Sequence, residues 1–447
     1  METQHLVPHG GTISTKSKTP VSSTRDAHQS RTPSGEAARE RLHDAALDLF
    51  WKKGYKGTST REVAASLGVQ QASLYYHMAT KEQLLHGICY SSLATLIQQA
   101  EAAVSIARTP LDAIREIVRN HLTTTLALQK EFSVGVMECR ALGPEYRAEI
   151  EGLWSRYHMF TSSIIDDAKN DGLIRSDIAN KYLYTPLMTT LIWSVLWYRQ
   201  GRGLTVDELD EIFATIYFEG AARPGFVRNY SSTDVRRICQ YLSSPAAPLA
   251  PAEKNQTYAR LLDTACALFA KQGYNATSIR EIADAIGIRK ASVYHYISSK
   301  EDLLYEISKA ALEHINTNVK WALQQVSLPQ DRLYALITAH VISLLQHQNW
   351  HAAANEELVT FTDERRGEIV ALRDDYERLV RSELRAARSA GLIRTDIPIK
   401  FLGLVLFGMI THIYPWYQPG IDIPASELGH LLGDLFFTGV AVDRPEL

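Results

Sequence analysis

Two short segments of this 447-residue chain carry side chains suited to reading chemical edges. The first holds Gln70, Gln71, Ser73, Tyr75, Tyr76 and His77. The second, 219 residues later, holds Arg289, Lys290, Ser292, Tyr294, His295 and Tyr296. An idle helix face would carry Lys and Glu instead. Gln can pair bidentately with adenine, and Arg or Lys with guanine, in a major groove. Residues suited to holding phosphate stand close by. Lys81 and Lys300 open the next helix, where backbone N–H groups already favour an anion. Thr58, Thr60 and Arg61, with Thr277, Ser278 and Arg280, open the preceding one. The same residues admit a blander use: a three-helix packing module, with Tyr75 and Tyr294 partly against its first helix and both lysines solvated.

Such tips need a rigid mount. Leu42, Ala45, Ala46, Leu49 and Phe50 fall at i, i+3, i+4, i+7 and i+8, one face of a helix. Leu261, Ala265, Leu268 and Phe269 repeat that face, interrupted by Thr264. Gly54 and Gly273 end it. The capping-box pattern Ser59-Thr60-Arg61-Glu62, matched by Ser278-Ile279-Arg280-Glu281, predicts a second helix. It ends near Leu67 and Ile286, where Gly68 and Gly287 permit a tight turn. The two chemistry-bearing segments then form a third helix, over 70–77 and 289–296. A fourth opens at Thr80 and Ser299. Two short helices joined by a Gly-containing turn and buttressed by a longer one make a helix-turn-helix.

The two mounts are copies. Glu36–Leu85 aligned without a gap against Asn255–Leu304 gives 22 identities in 50 positions. The offset of 219 persists downstream: Gly172-Leu173-Ile174-Arg175 recurs as Gly391-Leu392-Ile393-Arg394, Trp197-Tyr198 as Trp416-Tyr417, and Gly220 as Gly439. The repeat unit, about 185 residues, is far longer than a solenoid period. The chain parses into a tail (1–34), a first helix-turn-helix domain (35–85) and helical body (86–220), a linker (221–254), and a second helix-turn-helix domain (255–304) and body (305–447). The tail, with 12 Ser/Thr, has the composition of a disordered segment. The linker ends in a Pro/Ala-rich, semi-rigid stretch, with one short helix predicted at Ser232–Leu242.

Composition bounds the rest. Apolar residues at 45% and charged residues at 22% exclude a wholly disordered, collagen-like or disulfide-scaffold chain. The longest nearly uninterrupted apolar stretch, Phe401–Ile410, falls short of the roughly 20 residues that span a bilayer. No signal peptide is expected, and four scattered cysteines without CxxC fit a reduced cytoplasmic compartment. The net charge of −3 taken whole argues against a nucleic-acid partner. Taken by region it does not: each helix-turn-helix is +1 and the tail +2, leaving −7 elsewhere. Modest non-specific affinity and placed contacts are what this distribution predicts.

From the first helix through Leu85, and again through Leu304, the sequence resembles the DNA-binding domain of the TetR family of transcriptional regulators. The residues that carry the likeness are Gly54-Tyr55, Thr58-Ser59, Arg61-Glu62, Ala64, Gly68-Val69, Ala72-Ser73-Leu74-Tyr75-Tyr76-His77 and Lys81-Glu82. In the second copy they are Gly273-Tyr274, Thr277, Arg280-Glu281, Ala283, Gly287-Ile288, Lys290-Ala291-Ser292-Val293-Tyr294-His295-Tyr296 and Lys300-Glu301. The resemblance implies an all-α ligand-binding and dimerisation body after each reader, and double-stranded operator DNA and a small-molecule effector as partners. Two readers in one chain depart from the family's usual homodimer.

The bodies read as amphipathic helices near Leu111–Lys130, Phe132–Leu142, Pro144–Asp171, Ile178–Gln200 and Thr205–Gly220, repeated at +219. By resemblance the last two helices of each unit form the contact between units. This predicts an intramolecular pseudo-dimer, with a further homodimer as a second arrangement. Candidate effector-pocket residues are His121, Met137, Trp154, Tyr157, His158 and Trp193, and in unit 2 His340, His347, Trp350, Tyr376, His412 and Tyr414. The Gly-Leu-Ile-Arg and Trp-Tyr pattern is similar to members that respond to acyl-CoA or lipid-derived effectors. No phosphate loop, nucleophile elbow or metal-ligand spacing occurs, so no catalytic residue, metal or cofactor is expected. The reading is a ligand-responsive repressor on an operator with unequal half-sites. One active reader beside a degenerate copy, or a sensor acting through protein partners, are the alternatives.

Overall fold

The computed structural model describes residues 33–70, 80–199, 203–220, 233–243, 249, 256–354 and 361–439. Among these, all regular structure is helical, with no β-strand. The first unit comprises α1 (Pro33–Lys53), α2 (Thr60–Ser66), α3 (Lys81–Val104), α4 (Pro110–Ala127), α5 (Gln129–Glu138), α6 (Pro144–Asn170), α7 (Asn180–Trp197) and α8 (Val206–Glu219). A linker helix, α9 (Thr233–Leu242), follows. The second unit comprises α10 (Gln256–Gln272), α11 (Ile279–Ile286), α12 (Lys290–Val293), α13 (Lys300–Gln324), α14 (Pro329–Gln346), α15 (Gln348–Ala354), α16 (Asp363–Ser389), α17 (Ile399–Thr411) and α18 (Ala425–Thr438).

Local chemistry sets these limits. Ser59 caps α2 and Ser278 caps α11, each as a complete capping box: the serine accepts from the third residue's N–H while Glu62 or Glu281 accepts from the cap N–H. Thr80 and Ser299 cap α3 and α13 in the same way. Gly54 and Gly273, at φ of 72° and 83°, turn the chain where a side chain would be strained. Proline opens α4, α6 and α14, where its missing N–H costs nothing.

The two bodies meet through α7 and α8 of the first unit against α17 and α18 of the second. The contacts come in pairs related by the repeat offset. Tyr182 faces Trp416 at 6.3 Å between ring centroids, and its mirror, Trp197 on Phe401, stands at 6.4 Å. Trp193 faces its own counterpart His412 at 4.7 Å. At the helix ends a Cβ on Gly220 would lie 2.2 Å from the Phe437 carbonyl oxygen, and one on Gly439 would lie 2.4 Å from Phe218. A local two-fold axis therefore runs through this four-helix contact. Polar contacts at its rim break the symmetry: Lys181 Nζ is 2.6 Å from Asp422, Tyr182 Oη donates to that carboxylate at 3.0 Å, and Arg394 reaches Glu219 at 3.2 Å.

One hydrophobic core runs through both bodies and the first reader, and a second, separate core holds the second reader with Trp350, Ala353 and Ala354 of α15. The linker helix α9 buries Val235, Ile238 and Leu242 against the second body and stacks Tyr241 on Trp321 at 4.1 Å. No described helix is long and apolar enough to cross a membrane.

Candidate nucleic-acid interface and inter-reader cavity

The second reader shows how its tips are mounted. Val293 is fully buried, which anchors α12 and turns Arg289, Lys290, Tyr294 and His295 outward, all exposed. The α-helical part is only Lys290–Val293, shorter than the predicted 289–296. Beyond it the chain tightens: Tyr296 N–H donates to Val293 O at 2.9 Å and His295 N–H to Ser292 O at 3.3 Å, both three-residue bonds. Ser292 is half-buried. Tyr296 is half-buried as well, with its ring 6.5 Å from Tyr258 of α10. So Tyr296, not Tyr294, is the tyrosine that rests on the first helix, and Tyr294 stays 49% exposed. In the first reader Gln70 is exposed, while Gln71, Ser73, Tyr75, Tyr76 and His77 lie outside the described residues.

The expected phosphate-holding residues divide. Arg61 and Arg280 are exposed at the starts of α2 and α11, with Thr60 and the capping Ser278 beside them. Thr58 and Thr277 are 2% exposed, and their hydroxyls donate to the carbonyls of Gly54 (3.0 Å) and Gly273 (2.9 Å). They close the turn between the first two helices and are withdrawn from any phosphate. The lysines are engaged likewise. Lys81 Nζ donates to the carbonyls of Tyr55 and Thr58, both at 2.8 Å, and lies 4.1 Å from the centre of the Tyr55 ring. Lys300 does the same with Tyr274 (2.8 Å), Thr277 (2.9 Å) and the Tyr274 ring (4.0 Å). Each lysine clips the turn of its own reader, where the carbonyls and the ring face satisfy the ammonium. Burial lowers the pKa of Lys81, and burial with nearby Glu301 and Asp302 pushes the Tyr274 phenol up to about 12.

The bodies hold the readers at the turn of the first reader and along the flanking helices of both. Glu138, at the end of α5, accepts from Tyr55 N–H at 3.0 Å. Burial raises its carboxyl pKa despite that bond. Lys130 pairs with Asp48 at 2.6 Å. In the second unit Trp350 Nε1 donates to Asp263 at 3.1 Å, and Glu301 accepts from Thr362 N–H at 2.9 Å.

Between the readers lies a cavity of about 490 Å³. The turn of the first reader (Phe50, Trp51, Lys56) lines one side and the turn of the second (Gly273–Ala276) the other; α5 and the C-terminal ends of α7 and α17 supply the roof. Met137, Trp193, His412 and Tyr414, four of the twelve candidate effector residues, open onto it. The other eight do not. His121 and Tyr157 pair inside the first body (Nδ1 to Oη, 3.2 Å), as do His340 and Tyr376 in the second (2.7 Å). Burial pushes both imidazoles down to about 3. Trp154 sits edge-on to Tyr157, His158 packs on Tyr184, and His347 packs on His314. Trp350 is taken by Asp263. The Gly-Leu-Ile-Arg and Trp-Tyr positions are not in the cavity either. Arg175 and Arg394 pair with Asp177 and Asp396, while Trp197 and Trp416 pack in the inter-unit contact. Sequence reasoning missed Arg373, Lys56 and Glu138. The signal available for Arg373 was a mismatch across the repeat, since its counterpart is Trp154.

A duplicated helix-turn-helix sequence, whose second copy turns a polar helix outward, on an all-helical body that holds the readers, defines a DNA-binding transcriptional regulator. Residues 42–88 and 261–307 match the profile of bacterial regulatory proteins of the tetR family, and 107–221 and 327–440 match the tetracyclin repressor-like C-terminal domain. The chain belongs to the TetR family. It is similar to the HTH-type transcriptional repressor KstR2 of Mycobacterium tuberculosis, at 25% identity over 39% of this chain and 88% of that protein. It is also similar to the fatty acid metabolism regulator protein of Bacillus subtilis, at 22% over 42% of this chain and 97% of that one. Among solved structures it is similar to PfmR of Thermus thermophilus, a TetR family regulator, at 30% identity over 41% of this chain and 100% of that one, with a TM-score of 0.38.

Proposed function

We propose that this chain is a ligand-responsive repressor that works as an intramolecular pseudo-dimer in the cytoplasm. The observation that carries the reading is the pairing of the two bodies across a local two-fold axis, which supplies within one chain the contact a homodimer would make between two. Two readers held this way would enter successive major grooves, one helical turn or a multiple apart. The name of the mycobacterial relative supports repression over activation.

The readers differ where base edges would be met. Gln70-Gln71 stands against Arg289-Lys290, and Tyr76-His77 is exchanged to His295-Tyr296. We propose an operator with unequal half-sites, the unit-2 half richer in guanine contacts. Footprinting on the chain's own upstream region tests this. A perfect palindrome with equal protection would refute it, and light scattering should give about one chain mass. Separate Tyr75→Ala and Tyr294→Ala variants decide against the reading with one active reader: both must weaken DNA binding. Absence of any mobility shift would favour a sensor acting through protein partners.

The effector we propose is acyl-CoA or lipid-derived. The Bacillus subtilis relative, named for fatty acid metabolism, supports that class, and so does a cavity with both apolar walls and cations. Its occupancy would shift the reader spacing away from the operator's.

A further inference from the structure

We infer that the space between the readers is a single anion site, filled by one anionic amphiphile per chain, with Arg373 holding the anionic group. This rests on the effector reading above and adds the place, the charge and the stoichiometry.

Four cations line the cavity, Lys56, Arg140, Arg199 and Arg373, against one carboxylate, Glu138, which is engaged by the Tyr55 N–H. The two-fold axis would give a homodimer each of these charges twice. Here it gives each once: the counterparts at the repeat offset are Asn275, Val359, Gln418 and Trp154. The four cations are therefore gathered at one asymmetric chamber, with Lys56, Arg140 and Arg199 exposed and Arg373 half-buried. Arg373 is the cation committed to it. It is half-buried on α16, donates to the Ala354 carbonyl at 2.9 Å, and pairs with no carboxylate among the described residues. Burial lowers its pKa with no described acid to oppose the effect. A guanidinium so placed is matched by a carboxylate or phosphate, which it can hold through two parallel N–H donors. Trp51, Trp193, Val134 and Leu196 supply apolar wall for the rest of the molecule, and about 490 Å³ suits one such ligand.

The position makes the site regulatory. Lys56 and Asn275 are repeat counterparts, one on each reader turn, and both line the chamber. A ligand there touches both readers at once and acts on their separation directly.

Isothermal titration of the full chain with lauroyl-coenzyme A, laurate and uncharged dodecanol tests this, with operator release as a second readout. Expected is one site per chain for an anionic probe, no binding of dodecanol at matched concentration, and at least tenfold weaker binding in Arg373→Gln with the fold intact by circular dichroism. Laurate against lauroyl-coenzyme A separates a carboxylate from a phosphate-bearing headgroup. Two sites per chain, with Arg373→Gln silent and His121→Phe or His340→Phe disruptive, would overturn the inter-reader site yet leave an effector-responsive regulator. An Arg373→Gln variant that loses DNA affinity but keeps the probe would assign the charge to DNA and overturn it as well. If no probe binds or releases DNA, the lipid-derived effector reading itself fails.

Discussion

The two halves of the chain pack closely at Gly220 and Gly439, and that packing can be tested against a control inside the same protein. Gly172 and Gly220 both have positive φ, 70° and 76°. Around Gly172 a Cβ would meet nothing within 4 Å, so Gly172→Ala carries only the left-handed backbone cost, about 1–2 kcal/mol. Gly220 differs in two ways. Its ψ of −179° places it in a region occupied essentially by glycine alone, at a cost of about 1–3 kcal/mol. Its Cβ would also lie 2.2 Å from the Phe437 carbonyl oxygen of the other unit, so that backbone must withdraw by about 1 Å, with an overpacking cost of about 1–3 kcal/mol. Gly220→Ala should therefore cost about 2–6 kcal/mol. Because Gly439 faces Phe218 across the same axis, the double Gly220→Ala/Gly439→Ala variant should cost less than the sum, by about 0.5–3 kcal/mol, once the first substitution has parted the ends. Urea denaturation followed by circular dichroism and by tryptophan fluorescence measures both. Loss of coincidence between the two probes in Gly220→Ala alone would show the units uncoupling. Equal destabilisation by Gly172→Ala and Gly220→Ala would refute this packing of the two units.

Three further outcomes follow from single contacts. Lys81→Met and Lys300→Met should loosen their own readers by about 1.5–3 kcal/mol each, because two carbonyls lose a charged donor, while the salt dependence of DNA binding keeps its slope. A slope lower by about 1 would show a phosphate contact instead. Arg289→Ala should cost about 1–3 kcal/mol at the guanine-rich half-site and relax its sequence preference, whereas Arg61→Ala should weaken binding evenly across sequences. Acid should unfold the bodies. His121 and His340 are held neutral by burial, with pKa near 3 folded against 6.5 in the unfolded chain, and His412 near 4. Their contribution is complete above pH 6.5 and is lost as pH falls toward the folded values, because the unfolded chain takes up the protons. At pH 5 each costs about 2 kcal/mol, so thermal melts at pH 7 and pH 5 should differ strongly, and less so in His121→Phe.

The helix-turn-helix elements were legible because their signals are local. Capping boxes at Ser59 and Ser278, the glycines at Gly54 and Gly273, and the i, i+3, i+4 stripe of α1 depend only on neighbours in sequence. The duplication was legible for the same reason, as was the family it points to. The lysines show where such reading stops. A lysine opening a helix looks like a phosphate ligand, but the carbonyls that take Lys81 lie 26 and 23 residues away, and only the folded turn brings them within 2.8 Å. The effector candidates divided on the same ground. His121 and His412 are equally plausible in sequence, yet the first is paired inside the body and the second opens onto the inter-reader cavity. What the sequence by itself determined is the list of elements and the fact that each occurs twice. What only the tertiary structure decided is how the copies face one another, because that contact joins residues some 219 positions apart, where no local pattern reaches. That facing brings Lys56, Arg140, Arg199 and Arg373 to one chamber between the readers.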